Sequence, residues 1–286
     1  MIDLHTHSTV SDGSESPARV VEMAAAAGCS AVALTDHDSL DGLGAAAKAA
    51  AGRGVTLVRG CEVSCRKPAT AGGKPVRGSV HVLVYFVEGE GPLVHELAGL
   101  RRDRAERNAR LRRRLEELGV PVDYEAMVAE AGGPAGLGRP HFARALVRAG
   151  AAADLDDAFD RWLADGRPAY VPKARLGPTD VIGLARHSGA VAVLAHPLSL
   201  ELDPGPLESL VGELAEAGLG GIEAIYGSYA PHQRRALRHL ARRHGLVATG
   251  GSDYHGTFKP DLQVGTGTGD LDVPDSALEE LAARRP

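Results

Sequence analysis

The chain has 286 residues, a formal net charge of −5 at pH 7, an apolar share of 44% and a charged share of 24%, the composition of a globular protein large enough for one sizeable core or for one domain carrying an insertion. The negative balance argues against a duplex-DNA binder, which needs a broad basic face to neutralise phosphates, but leaves short phosphorylated ligands open. No stretch approaches the roughly 18 consecutive apolar residues of a membrane span, and Met1 leads directly into Ile2-Asp3-Leu4-His5 without a basic segment ahead of an apolar run, so a cytoplasmic protein with no membrane partner is expected.

The first strand is predicted at Ile2-Asp3-Leu4 and ends in His5-Thr6-His7. Side chains alternate along an extended backbone, so both imidazoles fall on one face at the strand end, where two neutral nitrogens can converge on one ion. Asp12 follows in Ser11-Asp12-Gly13, and Ser16-Pro17 opens a helix, with Pro at its first position, that runs to Gly28. The second strand, Ala31 to Leu34, ends in Thr35-Asp36-His37-Asp38. Asp36 and Asp38 suit partners that orient imidazoles, and Asp38 equally suits capping of a helix starting near Ser39. A third strand, Val55 to Val58, leads into Gly60-Cys61-Glu62, and a fourth, Val80 to Val87, carries His81. Cys29, Cys61 and Cys65 cannot all pair; reduced thiols are expected, small and buried rather than half of a zinc site, because no second pair has matching spacing.

From about His95 to Lys173 the pattern becomes helical without a good strand, as in an insertion placed on the α/β unit, and Gly132-Gly133-Pro134 and Gly136 to Pro140 break it into pieces. Its first helix, about Leu93 to Leu118, is rich in arginine, and most of these form a solvated face beside Glu106, Glu116 and Glu117. Leu97, Leu100, Leu111, Leu115 and Leu118 define an apolar stripe in which Arg104 and Asn108 also fall. Arg104 therefore either snorkels or pairs with a structural carboxylate of the insertion, or it offers its planar fork to a substrate phosphate. Arg139-Pro140-His141 and Pro172-Lys173 sit at breaks where the insertion's helices begin or return, positions that can present side chains and N–H groups to an anion.

The strand-helix alternation then resumes. Ala190 to Leu194, Gly221 to Ile225 and Leu246 to Ala248 are strands, with helices around 178–188, 205–218 and 230–244. Ala195-His196-Pro197 follows the first of these strands, and Gly251-Ser252-Asp253-Tyr254-His255 the last. A mostly parallel sheet, open or closed into a barrel, gathers such strand ends at one rim, so His, Asp and Glu recurring there point to a metal centre. His95, His187, His239 and His244 lie in helical, charged surroundings and read as surface residues; His232 lies at a strand-to-helix junction. Mixed imidazole and carboxylate ligands suit manganese, zinc or iron in a polynuclear hydrolytic centre. Such a centre neutralises phosphate charge and activates water as the nucleophile, which phosphoryl ester hydrolysis uses in full.

The set H-x-H, T-D-H-D, G-C-E, a strand His, A-H-P and S-D-x-H resembles the PHP family, named for polymerase and histidinol phosphatase. The resemblance implies a distorted seven-stranded (β/α) barrel over 1–94 and 176–286 with an all-helical insertion over 95–175 serving as a substrate cap. It also implies three metals: one on His5, His7, Glu62 and Asp253, one on Glu62, His81 and His196, and one on Asp12, His37 and His255, with Glu62 bridging the first two. Gly138-Arg139-Pro140-His141-Phe142 and Tyr170-Val171-Pro172-Lys173 resemble the branch that removes the 3'-phosphate from nucleoside 3',5'-bisphosphates, some members of which act as 5'-to-3' exonucleases on short RNA. Manganese is the expected metal and a small phosphorylated nucleotide or short RNA the expected partner. Arg104, Asn108, Arg139, His141 and Lys173 are the candidate substrate contacts. Histidinol phosphate and cyclic phosphates are alternative substrates on the same ligands, and an inactive PHP binding module is the non-enzyme alternative.

Overall fold

The computed structural model describes residues 1–131, 133–134, 136–172 and 175–286. Lys173 therefore lies outside the described residues. Strands β1 (Ile2–Thr6), β2 (Ala31–Leu34) and β3 (Thr56–Cys65) alternate with helices α1 (Pro17–Ala26) and α2 (Leu43–Ala50). A two-residue hairpin, β4 (Thr70–Ala71) and β5 (Lys74–Pro75), precedes β6 (Val80–Tyr85). The insertion comprises α3 (Pro92–Glu117), α4 (Tyr124–Glu130), α5 (Arg139–Arg148) and the single turn α6 (Leu155–Ala158), which continues as a π-helical turn over Phe159–Leu163. The chain then returns through α7 (Pro178–His187), β7 (Val191–Leu194), α8 (Pro204–Glu216), β8 (Gly221–Tyr226), α9 (Pro231–Arg243), β9 (Val247–Gly251) and α10 (Ser276–Ala282). Helices α1, α3, α7, α8 and α9 all begin on proline, whose missing N–H costs nothing in the first turn.

Seven strands form one sheet in the order β1-β2-β3-β6-β7-β8-β9. Strand β6 runs antiparallel to both β3 and β7, and the other neighbours are parallel. The sheet curls until its ends meet, where Asp253 N–H donates to His5 O at 2.8 Å and His7 N–H to Tyr254 O at 2.9 Å. The result is the expected α/β class, a distorted seven-stranded barrel carrying a helical insertion. Asp3, fully buried, holds this seam: its carboxylate accepts from the backbone N–H of His5, Ser252 and Gly265 at 3.2, 2.9 and 2.8 Å. Burial pushes its pKa up, and those donors offset only part of the shift. Gly251 is required at the same seam, because a Cβ there would stand 2.4 Å from His5 N.

Two expectations are corrected. The third strand does not stop near Val58; it continues to Cys65, pairing with β2 through Arg59 and then with β6 from Gly60 onward. Gly60 has the look of a strand terminator, yet it permits close approach of two backbones, since a Cβ there would meet Val84 O at 2.7 Å. No helix starts near Ser39 either. Helix α2 begins at Leu43 after Gly42, and Asp38 is engaged elsewhere.

Helix α3 joins two cores. Leu93, Leu97 and Leu100 pack into the barrel's principal core, while Leu111 and Leu115 belong to the insertion's own cluster with Met127, Phe142 and Leu146. The expected boundary at residue 95 thus falls inside one continuous helix. The three cysteines are free and buried, and among the described residues no helix is long and apolar enough to cross a membrane.

Closure of the barrel gives a stability test. Gly251→Ala should lower unfolding free energy by about 2–3 kcal/mol, the range for forcing atoms into a packed interior. Gly44→Ala, on a helix with open space around the new methyl, should raise it by up to about 1 kcal/mol. Urea denaturation of both variants checks the contrast.

Candidate metal centre

The C-terminal ends of the parallel strands meet at one rim. Because β6 runs the other way, its beginning reaches that same rim, which is why His81, its second residue, stands opposite Ser64 at the end of β3. Glu62 lies at the middle of the resulting cluster and is buried. Its Oε2 is 3.3 Å from His5 Nε2, 3.2 Å from His7 Nε2 and 3.3 Å from His37 Nδ1. Its Oε1 is 2.9 Å from both His81 Nδ1 and His196 Nε2. Asp253 Oδ1 is 3.3 Å from His5 Nε2, His7 Nε2 and His255 Nδ1. Asp12 reaches His37 Nε2 at 3.5 Å and His255 Nε2 at 3.3 Å.

Three groups have donor atoms within 4.8 Å of one another: His5, His7, Glu62 and Asp253; His7, Asp12, His37 and His255; and His37, Glu62 and His81. His196 joins the last group through the Glu62 oxygen that it shares with His81. All nine residues expected as ligands are therefore brought to one place. The donor set fits divalent cations. His5 Nε2 and His7 Nε2 point at each other across 3.1 Å, and buried His37 Nδ1 has no hydrogen-bond partner among the described residues. Imidazole nitrogens aimed together beside carboxylates are what a shared cation requires.

A surrounding ring of hydrogen bonds fixes the ligands. Glu223, buried in β8, accepts from His5 Nδ1 at 2.9 Å and from His196 N–H at 2.8 Å. Ser199 Oγ lies 2.8 Å from His196 Nδ1, and His255 Nδ1 donates to Asp253 O at 2.9 Å. These contacts occupy one ring nitrogen and aim the other inward. Tyr226 donates to Asp253 Oδ2 at 2.6 Å, and Lys259 pairs with the same oxygen. Asp36 accepts from Ser8 N–H, Ser8 Oγ and Ser11 Oγ, all at 2.7 Å, and so holds the loop that carries Asp12. His196 and Asp253 both have positive φ, of 25° and 54°, a strained backbone kept in place by these bonds.

Carboxylates and imidazoles shift one another's pKa within the cluster. Burial would raise the carboxyl pKa of Glu62, Asp253 and Asp12, but the facing imidazoles outweigh it and hold all three well below the usual range. Burial likewise opposes the charged form of His7, yet its hydrogen bonds to Asp253 and Glu62 push it up to about 9. His5 is raised well above its ordinary value, because Glu223, Asp253 and Glu62 outweigh its burial. His37 goes the other way, with burial pushing it down to about 3.

Beyond the ligands, a cavity of about 220 Å³ opens onto Asp12, His37 and His81 and is walled by Arg104, Arg107, Arg139 and Arg175. Arg104 does pair with a carboxylate, but with Asp38 of the barrel rather than one of the insertion. Asp38 is itself fixed, its N–H donating to Glu62 O and its Oδ1 accepting from Ser64 N–H, both at 2.9 Å. Arg104 thus ties α3 to the rim while still facing the cavity. Arg139 lines the cavity as well, its Nη1 3.5 Å from Leu163 O. Asn108 and His141 do not join them. The Asn108 amide donates to Leu137 O at 2.8 Å, and His141 Nδ1 accepts from Gly138 N–H at 3.1 Å, closing the start of α5 beside a separate cavity. His95, His187, His232 and His239 are exposed and His244 is half-buried, all away from the cluster.

Several participants escaped the sequence reading. Arg107, three residues after Arg104 on the same face of α3, is buried with Nε and Nη1 unpartnered among the described residues. The i, i+3 spacing could have found it. Glu223 and Asp3 left a fainter signal, a single carboxylate inside an apolar strand. Arg175 and Lys259 stand in irregular segments whose direction no periodicity reveals, and Ser199 lies in a single 3-10 turn, Pro197–Leu200, too short to show one.

A protein-family model, the PHP domain, matches residues 3–164. The 3',5'-nucleoside bisphosphate phosphatase of Chromobacterium violaceum is 35% identical over 92% of this chain and 90% of its own length. This chain belongs to the PHP domain family. The 5'-3' exoribonuclease Rnm of Salmonella typhimurium is 32% identical over 88% of this chain and 84% of its own. A solved structure from Bifidobacterium adolescentis, whose assignment as a metal-dependent phosphoesterase is itself an inference, superposes with a TM-score of 0.81 at 30% identity, covering 100% of this chain and 96% of that one.

The raised imidazoles make metal binding a competition with protons. The raised pKa values of His5 and His7 favour their imidazolium forms without metal, and the ion pairs of His7 stabilise the fold below about 6.5 and lose that contribution as pH rises through about 9. A cation taking their Nε2 atoms displaces both protons, so apparent metal affinity should climb from pH 6 to 8 by up to about a hundredfold per unit, ten per proton released. His37, already neutral, adds nothing to the slope. Calorimetric titration with manganese in two buffers of different ionisation enthalpy measures the proton count; affinity flat across this range contradicts the assignment.

Proposed function

We propose that this PHP enzyme removes the 3'-phosphate from nucleoside 3',5'-bisphosphates, the arginine-walled cavity holding the 5'-phosphate while the 3'-phosphate lies at the metal centre. Its class, a metal-dependent phosphoesterase, is that of its relatives. The observation that carries the substrate is buried Arg107, with two unpartnered guanidinium nitrogens in a cavity that opens directly onto the ligands. Burial and the neighbouring Arg139, Arg104 and Arg175 push its pKa down to about 10, so it stays cationic, and no carboxylate pairs with it among the described residues. A second phosphate supplies that anion, and histidinol phosphate has none to offer. The insertion, carrying most of these arginines, acts as the cap.

Three divalent ions, manganese foremost, would sit on His5, His7, Glu62 and Asp253, on Glu62, His81 and His196, and on Asp12, His37 and His255. When bound, they neutralise the phosphoryl group and lower the pKa of water. Glu62, its two oxygens facing different histidines, would be shared between two of these ions. Glu223 and Ser199 keep His5 and His196 in their ligating tautomers, and Tyr226 restrains Asp253. Arg107 and Arg139 grip the non-reacting phosphate and so fix the reacting one in position. The three reduced cysteines fit a reducing compartment such as the cytoplasm.

Arg107→Ala and Arg139→Ala should each lower kcat/KM on adenosine 3',5'-bisphosphate by about 2–4 kcal/mol, or roughly 30- to 1,000-fold, while costing far less on a 3'-monophosphate that never made the contact. Equal losses on both substrates would assign these residues to folding or metal support. Glu62→Gln, touching two ions, should reduce kcat by at least about a hundredfold, and Asp12→Asn, touching one, by less. Steady-state kinetics with saturating manganese separate the two.

A further inference from the structure

A second cavity, of about 200 Å³, adjoins the loop that carries Asp12. Ser11 and Asp12 line the arginine-walled cavity, whereas Thr9, Ser11, Gly13 and Ser14 line this one, so the loop stands between the two. The remaining walls come from Glu130 and Ala131 at the end of α4, from His141 and Arg144 on α5, and from Thr257 and Phe258 just after His255. None of the nine metal ligands enters it, and the reaction proposed above makes no use of it.

His141 is only 3% exposed, and its Nδ1 accepts from Gly138 N–H at 3.1 Å. A backbone N–H can only donate, so the neutral ring must carry its proton on Nε2. Burial and the Arg144 cation lower the His141 pKa, which keeps the ring neutral. The Nε2–H has no hydrogen-bond partner among the described residues, and it lies on the side of the ring turned away from Gly138, toward the cavity. A buried donor without an acceptor is costly, so an acceptor is wanted there. Arg144, three residues along the same helix face, adds a cation. Its guanidinium lies 4.2 Å over the Phe258 ring, its Nη1 is a distant 3.5 Å from Glu130 Oε1, and its Nε and Nη2 are unpartnered among the described residues. Glu130 sits closer to Arg148, at 3.0 Å, and so neutralises Arg144 incompletely. Ser14 Oγ accepts from Thr257 N–H at 3.1 Å, which leaves its own proton free for a ligand.

The groups short of a partner in this cavity are thus a ring N–H, a guanidinium and a hydroxyl, all donors, converging from the insertion and from the Asp12 loop. A tetrahedral oxyanion accepts from several directions at once and answers all three. We infer that this cavity is a second anion site, distinct from the arginine-walled one, which takes a phosphate group on His141 Nε2–H, the Arg144 guanidinium and Ser14 Oγ. The bound anion ties α5 to the loops that carry Asp12 and His255. Two sources offer that chemistry beside a phosphatase centre, the orthophosphate released there and the phosphate of a nucleotide.

The test uses the full chain, freed of metal so that phosphate has no cation to coordinate, and titrates it calorimetrically with orthophosphate and, separately, with adenosine 5'-monophosphate. His141→Asn keeps an acceptor for Gly138 N–H while removing Nε2, and Arg144→Gln keeps much of the stem while removing the charge. Each should weaken one phosphate by at least about tenfold, the loss expected of one hydrogen bond to a charged group. Arg107→Ala should leave that phosphate in place. Orthophosphate bound with this dependence assigns the site to the released product, and the monophosphate bound with it assigns the site to nucleotides; either supports the inference. Wild-type affinity for both ligands in His141→Asn overturns it, and so does loss of all binding in Arg107→Ala. If Arg107→Ala changes nothing while His141→Asn abolishes binding, the arginine-walled cavity loses its proposed role and this site stands.

Discussion

Glu62 is a fully buried carboxylate with an imidazole or more facing each of its oxygens, and the rest of the rim is organised around that charge. Leaving an anion unpaired in a protein interior costs several kcal/mol even after relaxation, so each carboxylate drawn into the rim requires cationic partners or metal. Glu62, Asp253 and Asp12 gather six imidazoles, of which His5, His196 and His255 are gripped from behind by Glu223, Ser199 and the backbone. The cluster also staples the barrel: its members come from β1, β3, β6 and the segments after β2, β7 and β9, so the same contacts that prepare the centre restrain most of the strands.

Most of this arrangement was legible in the sequence because metal ligands combine two independent signals, residue type and position in a strand. His5 and His7, His37, Glu62, His196, Asp253 and His255 each stand at or just after an apolar strand segment, and a barrel brings such positions to one rim. His81 was visible by type alone. Its arrival at the rim depends on β6 running antiparallel, which no local pattern announces. The strand through Gly60 was misjudged because glycine there serves close backbone approach, and sequence does not distinguish that from a turn. Asn108 fell in an apolar stripe, a sign of a constrained polar group, but the partner proved to be the Leu137 carbonyl rather than a ligand. A stripe identifies burial; it does not identify what the buried group meets. Asp38 shows the same limit, since its pairing with Arg104 spans barrel and insertion.

The two halves of the molecule carry opposite electrostatic problems, and they face each other. On the barrel side, acidic groups are concentrated beyond what the imidazoles comfortably neutralise, which is why His5 and His7 hold protons so tightly without metal. On the insertion side, Arg107 is surrounded by Arg104, Arg139 and Arg175, and among the described residues only Arg104 of these pairs with a carboxylate. Mutual repulsion among guanidinium groups in a partly desolvated wall is destabilising, and packing elsewhere in α3 must offset it. Cations relieve the first strain and a polyanion the second. A ligand with two phosphates a nucleoside apart relieves both at once, with one phosphate on each side, and a monophosphate relieves only one. The proposed preference for a bisphosphate therefore rests on how charge is divided between barrel and insertion, before any contact with the base is considered.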